Sequence, residues 1–265
     1  MKSSFFKSWK VLIIILLVIA VLSYGNINLS SKLIEVTGFG KQLETFPASI
    51  FSQINPVYIQ LGLEPANEEK VSSVNDSIRS IIINTFNKSY DKETYGYLIS
   101  WYESELGRKI QALENSVPDS MDFSLSDKKK ALIDELLKTV QIEEFSKELN
   151  VTMGTIIIKS MTLPALIKQE KTKEEIEDFY SSPEFQDIIN NNIQPSFNPE
   201  NYYSTYGSLE EKELKKYIEF YKSTPGQRLL KIEMESIINC TQFLASEIGR
   251  ELGFYFTNND GKKLK

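Results

Sequence analysis

From residue 30 onward, apolar side chains recur at i, i+3, i+4 and i+7 and strict apolar–polar alternation is rare, so the chain predicts helices throughout. A short helix is expected over 32–43. Pro47 and Pro56, read as first helical positions with Asn55 as a cap, are expected to start two more. Glu64-Pro65 opens a long helix to about Asn87, with Val71, Val74, Ile78, Ile81 and Ile82 on its buried stripe. A second long helix begins at Asp91 and gives way to a polar linker from Glu114 to Asp127. Helices are then expected over 131–149, over 153–168 with a kink at Pro164, over 173–180, and from Pro183 to about Asn190. Residues 191–207, with Pro195 and Pro199, read as the one long irregular stretch. Two last helices cover 209–222 and 225–252, and the tail 258–265 is expected to fray.

One unit occurs twice, 119 residues apart. Tyr95, Leu98, Ile99 and Tyr102 hold positions i, i+3, i+4 and i+7, as do Leu214, Tyr217, Ile218 and Tyr221. Trp101-Tyr102-Glu103-Ser104 falls on Phe220-Tyr221-Lys222-Ser223, Gly107 on Gly226, Lys109 on Arg228, Ile110 on Leu229 and Leu113 on Ile232. In the second copy Thr224 reads as a helix cap, Pro225 as the first helical residue and Gln227 as the partner that closes a capping box. Ser208 with Glu211 reads as another such box. The aromatic helix therefore ends and the next begins at once, giving an elbow, with Gly226 allowing close backbone approach. Leu106 replaces the proline in the first copy, so only a kink is expected there. Phe179-Tyr180-Ser181-Ser182-Pro183 is a weaker third echo. The expected fold class is all-α, roughly ten helices in two related helical-bundle halves built from helical hairpins, over 30–120 and 125–257.

The segment Lys216 to Arg228, containing Phe220-Tyr221-Lys222-Ser223-Thr224-Pro225-Gly226-Gln227, resembles the signature of a bacterial family catalogued as domain of unknown function 2059. The resemblance implies a small helical domain exported behind a signal sequence. It brings no activity, substrate or catalytic residue.

The amino terminus points the same way. Lys2, Lys7 and Lys10 precede an unbroken apolar run from Val11 to Leu22, followed by Ser23-Tyr24-Gly25. A basic start, an apolar run within about 7–15 residues and small residues before a cut describe a secretory signal over 1–25. An uncleaved anchor is the alternative, since no charge intervenes before Lys32. With the lysines on the amino-terminal side, either reading sends the rest of the chain out of the cytoplasm, periplasmic or extracytoplasmic, with the membrane touched only through this segment.

Composition narrows the chemistry. The 265 residues carry 36 acids against 30 bases, and the net charge of −6 argues against nucleic-acid binding. There is no histidine, which removes Ser-His-Asp and Cys-His catalysis and histidine-ligated metals. Cys240 sits between Ile237 and Leu244 and reads as a small core residue. No cofactor or metal ion is implied. Glu143-Glu144, Glu174-Glu175, Glu210-Glu211 and the Glu233/Glu235 pair read as solvated faces, since adjacent helical residues diverge by about 100°. Gly38-Phe39-Gly40-Lys41 reads as a turn between helices, lacking the rest of a phosphate loop.

The tyrosines are the better binding lead. Tyr202, Tyr203 and Tyr206 cluster in the irregular stretch with Tyr180 upstream, offering rigid amphipathic contact area. Trp101, Tyr102, Ser104 and Gly107, with their counterparts from Phe220 to Gln227, read as structural. The expectation is an exported, non-catalytic module binding a protein, peptide or cell-wall component. An envelope hydrolase using a carboxylate pair, and a membrane-tethered spacer, are the alternatives.

Overall fold

The computed structural model describes residues 29–116, 125–192 and 197–258, so the expected signal segment, most of the linker and nearly all of the tail lie outside the described residues. Among those described the chain is all-α, with twelve helices and no strand.

The first helix, α1, spans 29–37 and stops at Gly38, whose φ of +70° turns the chain into α2, Phe39–Gln60. The restarts expected at Pro47 and Pro56 do not occur. Leu43, Pro47, Phe51 and Tyr58 share one buried stripe of α2, and that burial offsets the two amide donors the prolines remove. The next helix, α3 (Glu68–Lys88), begins later than Glu64-Pro65 because Asn67 caps it, accepting from the Lys70 amide at 2.9 Å. Then follow α4 (Lys92–Tyr102) and α5 (Glu105–Glu114).

After the linker, α6 (Asp127–Thr139) ends ten residues before the expected boundary, where Gln141 takes a left-handed φ of 52°. From there α7 (Ile142–Lys168) runs unbroken, and Pro164 does not end it. Two short helices, α8 (Lys173–Ser181) and α9 (Pro183–Asn192), pack onto α7. The part of 191–207 that is described is not irregular: α10 covers Glu200–Tyr206. The chain finishes with α11 (Glu211–Lys222) and α12 (Thr224–Asn258), and α11 is boxed by Glu210 and Glu213 rather than by Ser208 and Glu211.

One continuous core, from Leu33 to Leu252, draws on α1 to α6 and α10 to α12. Thus 30–120 and 125–257 share their hydrophobic interior. The longest pairing joins α12 to α7, where glycines let the backbones approach. A Cβ on Gly249 would meet Ser160 Cβ at 2.5 Å, and one on Gly253 would meet the Ser160 carbonyl at 2.7 Å. By length and composition α7 is apolar enough to cross a membrane, with a mean hydropathy of 1.3 over its best window, none of it buried. At the far end of α12, Glu251 accepts from the Tyr58 hydroxyl at 2.8 Å and pairs with Lys70, tying α2, α3 and α12 together.

The two copies of the repeated unit fold alike. Both α4–α5 and α11–α12 are sharp elbows. Ser104 Oγ accepts from the Gly107 amide at 3.1 Å and Ser223 Oγ from the Gly226 amide at 3.2 Å. The first copy is a full break rather than a kink, because its serine cap suffices without proline. In the second copy the cap is Ser223, one residue ahead of Thr224, and Gln227 donates to the Tyr221 carbonyl at 2.5 Å instead of closing a box. A Cβ on Gly107 would lie 2.3 Å from the Trp101 carbonyl oxygen, and one on Gly226 2.1 Å from that of Phe220. Only glycine fits either corner.

Equivalent residues of the two elbows touch. Trp101 stacks on Phe220 with ring centroids 3.8 Å apart and 20° between planes. Lys109 of one elbow reaches Glu213 in the first turn of α11 at 2.6 Å. Its counterpart Arg228 pairs with Asp91, the N-cap of α4, at 3.8 Å, and donates to the carbonyl of Ser89 at the end of α3 at 3.0 Å. Such reciprocity is the pattern of an isologous, two-fold contact, here made within one chain.

Candidate functional site

Extending the repeat's register by one residue places Glu114 on Glu233. Glu114 closes α5 and Glu233 lies in the third turn of α12, and the facing elbows aim both carboxylates into one cavity of about 310 Å³. Tyr102 and Tyr221, themselves repeat equivalents, line it too, joined by Tyr217 of α11 and by Tyr202 and Tyr206 of α10. Its apolar wall comes from α2, α6, α7 and α12, through Phe39, Leu136, Phe145, Leu230 and Ile237 among others. Among the described residues no lysine or arginine lines it.

The symmetry breaks in the donors around the two carboxylates, and the break decides the electrostatics. Glu114 accepts from the Tyr217 hydroxyl at 2.6 Å and from Tyr206 at 2.8 Å. The repeat equivalent of Tyr217 is Leu98, which has no hydroxyl to offer Glu233. Among the described residues Glu233 has no hydrogen-bond donor and no cation. Desolvation, reinforced by the neighbouring Glu114 charge, pushes its carboxyl up to about 8. Desolvation also raises Glu114, opposed by the hydroxyls of Tyr217 and Tyr206. The Tyr102, Tyr206, Tyr217 and Tyr221 hydroxyls are all driven upward by burial; Glu114 pushes all four further, and Glu233 adds to this at Tyr102 and Tyr221. They stay neutral donors.

Chemically, the cavity offers one carboxyl that is protonated near neutrality, one held by two phenols, and aromatic faces. Among the described residues no group of three acidic or sulfur side chains could hold a metal ion.

The sequence-derived tyrosines divide. Tyr202 and Tyr206 reach the cavity from α10. Tyr203, their neighbour, points elsewhere and donates to Asp134 on α6 at 2.6 Å, with Lys130 over its ring. Tyr180 lies on α8, bonded to the Lys159 carbonyl at 2.8 Å and to Thr162 at 3.0 Å, and packed on Phe185. Tyr102 and Tyr221, expected only to support the elbow, line the cavity as well.

Glu233 corrects the solvated-face reading of the Glu233/Glu235 pair. It stands three residues after Leu230 and four before Ile237, on the apolar stripe of α12. A charge in that position, repeated by Glu114 four residues after Ile110, was the available signal.

Compared with family models, curated proteins and solved structures, this chain matches none.

Proposed function

We propose that the protein is a non-catalytic binding protein of the cell envelope, and that its ligand is a small molecule held in the cavity between the two elbows. The observation that carries this reading is the convergence of Glu114, Glu233 and five tyrosines on one apolar-walled cavity at the low end of the range for small-molecule sites. Holding two half-buried carboxylates side by side there costs stability, and packing alone gives no reason for it. The envelope setting rests on residues 2–25 and on the resemblance of the Lys216–Arg228 segment.

A thermal-shift screen of small metabolites on the full chain tests it, run beside Leu230→Trp, which fills the cavity. Compounds that stabilise the parent protein and lose that effect in the filled variant support the reading. Absence of any such compound, or equal shifts in both proteins, overturns it.

A second reading has its own observation. Glu233 is protonated near neutrality while Glu114 is held by phenols, the unequal pair that acid-assisted hydrolysis uses. Against it stands the volume, which suits one small molecule better than a polymer threaded through a groove. Turnover of a stabilising compound that stops in Glu233→Gln would favour hydrolysis over binding.

A further inference from the structure

We infer that the cavity's ligand is an organic cation, an amine or quaternary ammonium whose charge sits against Glu233 and whose apolar body lies among the tyrosine rings. This rests on the binding reading above and specifies its ligand.

Three independent observations lead here. First, among the described residues the cavity is lined by two carboxylates and no basic side chain, so positive charge is the missing complement. Second, Glu233 has no partner where its repeat equivalent has two. The donor that Tyr217 supplies to Glu114 is replaced on the other side by Leu98, which leaves the Glu233 oxygens for something that enters from outside. Third, Tyr102 and Tyr221 lie close enough to Glu233 to feel its charge and line the same cavity, and aromatic rings beside a carboxylate favour a cation over a neutral guest. A bare metal ion fits poorly. Calcium asks for six to eight oxygens at roughly 2.3–2.6 Å, and the walls are largely apolar.

Ionisation of Glu233 is then coupled to occupancy. The titratable groups that share the cavity with it are Glu114 from α5, Tyr102 from α4, Tyr202 and Tyr206 from α10, and Tyr217 and Tyr221 from α11, and among the described residues α2, α6 and α7 contribute no charged residue to it. Empty, the site holds a proton on Glu233. A cation displaces it, so binding releases up to one proton near neutrality.

Choline and its uncharged carbon isostere, dimethylbutanol, are the probes, titrated calorimetrically into the full chain in buffers of different ionisation enthalpy. Choline is expected to bind at least about tenfold more tightly than dimethylbutanol. Its affinity should climb close to tenfold per pH unit from about pH 6 and level off near 8, while that of dimethylbutanol stays flat. Glu233→Gln should bring choline down to the affinity of the isostere and leave the isostere unchanged. Should that variant misfold, the pH series on the parent protein decides the same question. Equal binding of the two probes, or a flat pH profile for choline, overturns the cation assignment and leaves the binding reading standing. Binding of neither probe overturns the assignment, and the metabolite screen with Leu230→Trp then decides the reading itself.

Discussion

Glu114 and Glu233 occupy the same place in two copies of one structural unit, and the copies meet so that both side chains open into a single cavity. One has two phenolic donors and the other has none: Tyr217 answers to Leu98 across the repeat, and Tyr206 reaches Glu114 alone from α10. Two like charges in one half-buried cavity cannot both ionise cheaply, and burial holds the unpartnered one protonated to higher pH.

Stability should therefore fall as pH rises. Glu233 ordinarily titrates near 4.5 and in the folded protein near 8, so between those values the folded state binds more protons than the unfolded one. The sign is unambiguous: stability is greatest below the lower value and declines toward the upper one. The slope is on the order of 1 kcal/mol per pH unit, softened by whatever water enters the cavity. Urea midpoints from pH 5 to about pH 9 measure it. Glu233→Gln should flatten most of the decline and leave the protein more stable than the parent at the alkaline end. An unchanged slope would mean that other groups dominate.

The elbow glycines should be intolerant of even one methyl group. Gly107→Ala and Gly226→Ala each force a Cβ against a carbonyl oxygen of the preceding helix, at 2.3 and 2.1 Å. Each should cost about 2–4 kcal/mol, visible as a lowered melting temperature. Gly96→Ala is the control. Nothing lies within 4 Å of its added carbon, so exchange there should stabilise α4 by about 0.5–1 kcal/mol.

The stacked pair at the centre of the two-fold contact should be coupled. In a double-mutant cycle on Trp101→Ala and Phe220→Ala, the double variant should lose about 0.5–1.5 kcal/mol less than the sum of the single losses. Additivity would mean that the rings merely fill space.

Cys240 should be inert in the folded protein. Burial leaves none of its surface exposed and pushes its thiol up to about 12. Labelling by a thiol-specific reagent at neutral pH should track global unfolding and accelerate with urea. Rapid labelling in buffer alone would show that the α12 core opens locally.

What the sequence determined is what lies within a few residues along the chain. Helix periodicity, the buried stripe of α3, the serine–glycine corners and the 119-residue register are all consequences of local spacing and capping. Where local signals misled, longer-range packing prevailed. Pro47 and Pro56 did not restart a helix whose stripe was already buried, and Tyr202 and Tyr206 left a proline-bounded stretch to form α10 against α5 and α6. The site itself was out of reach of such reasoning. A glutamate on a helix is a solvated charge until neighbours remove its water, and the residues that enclose Glu233 come from α2, α4, α5, α6, α7, α10 and α11. Only the tertiary structure brings them together, and desolvation by distant segments leaves no mark on the residues adjacent in the chain.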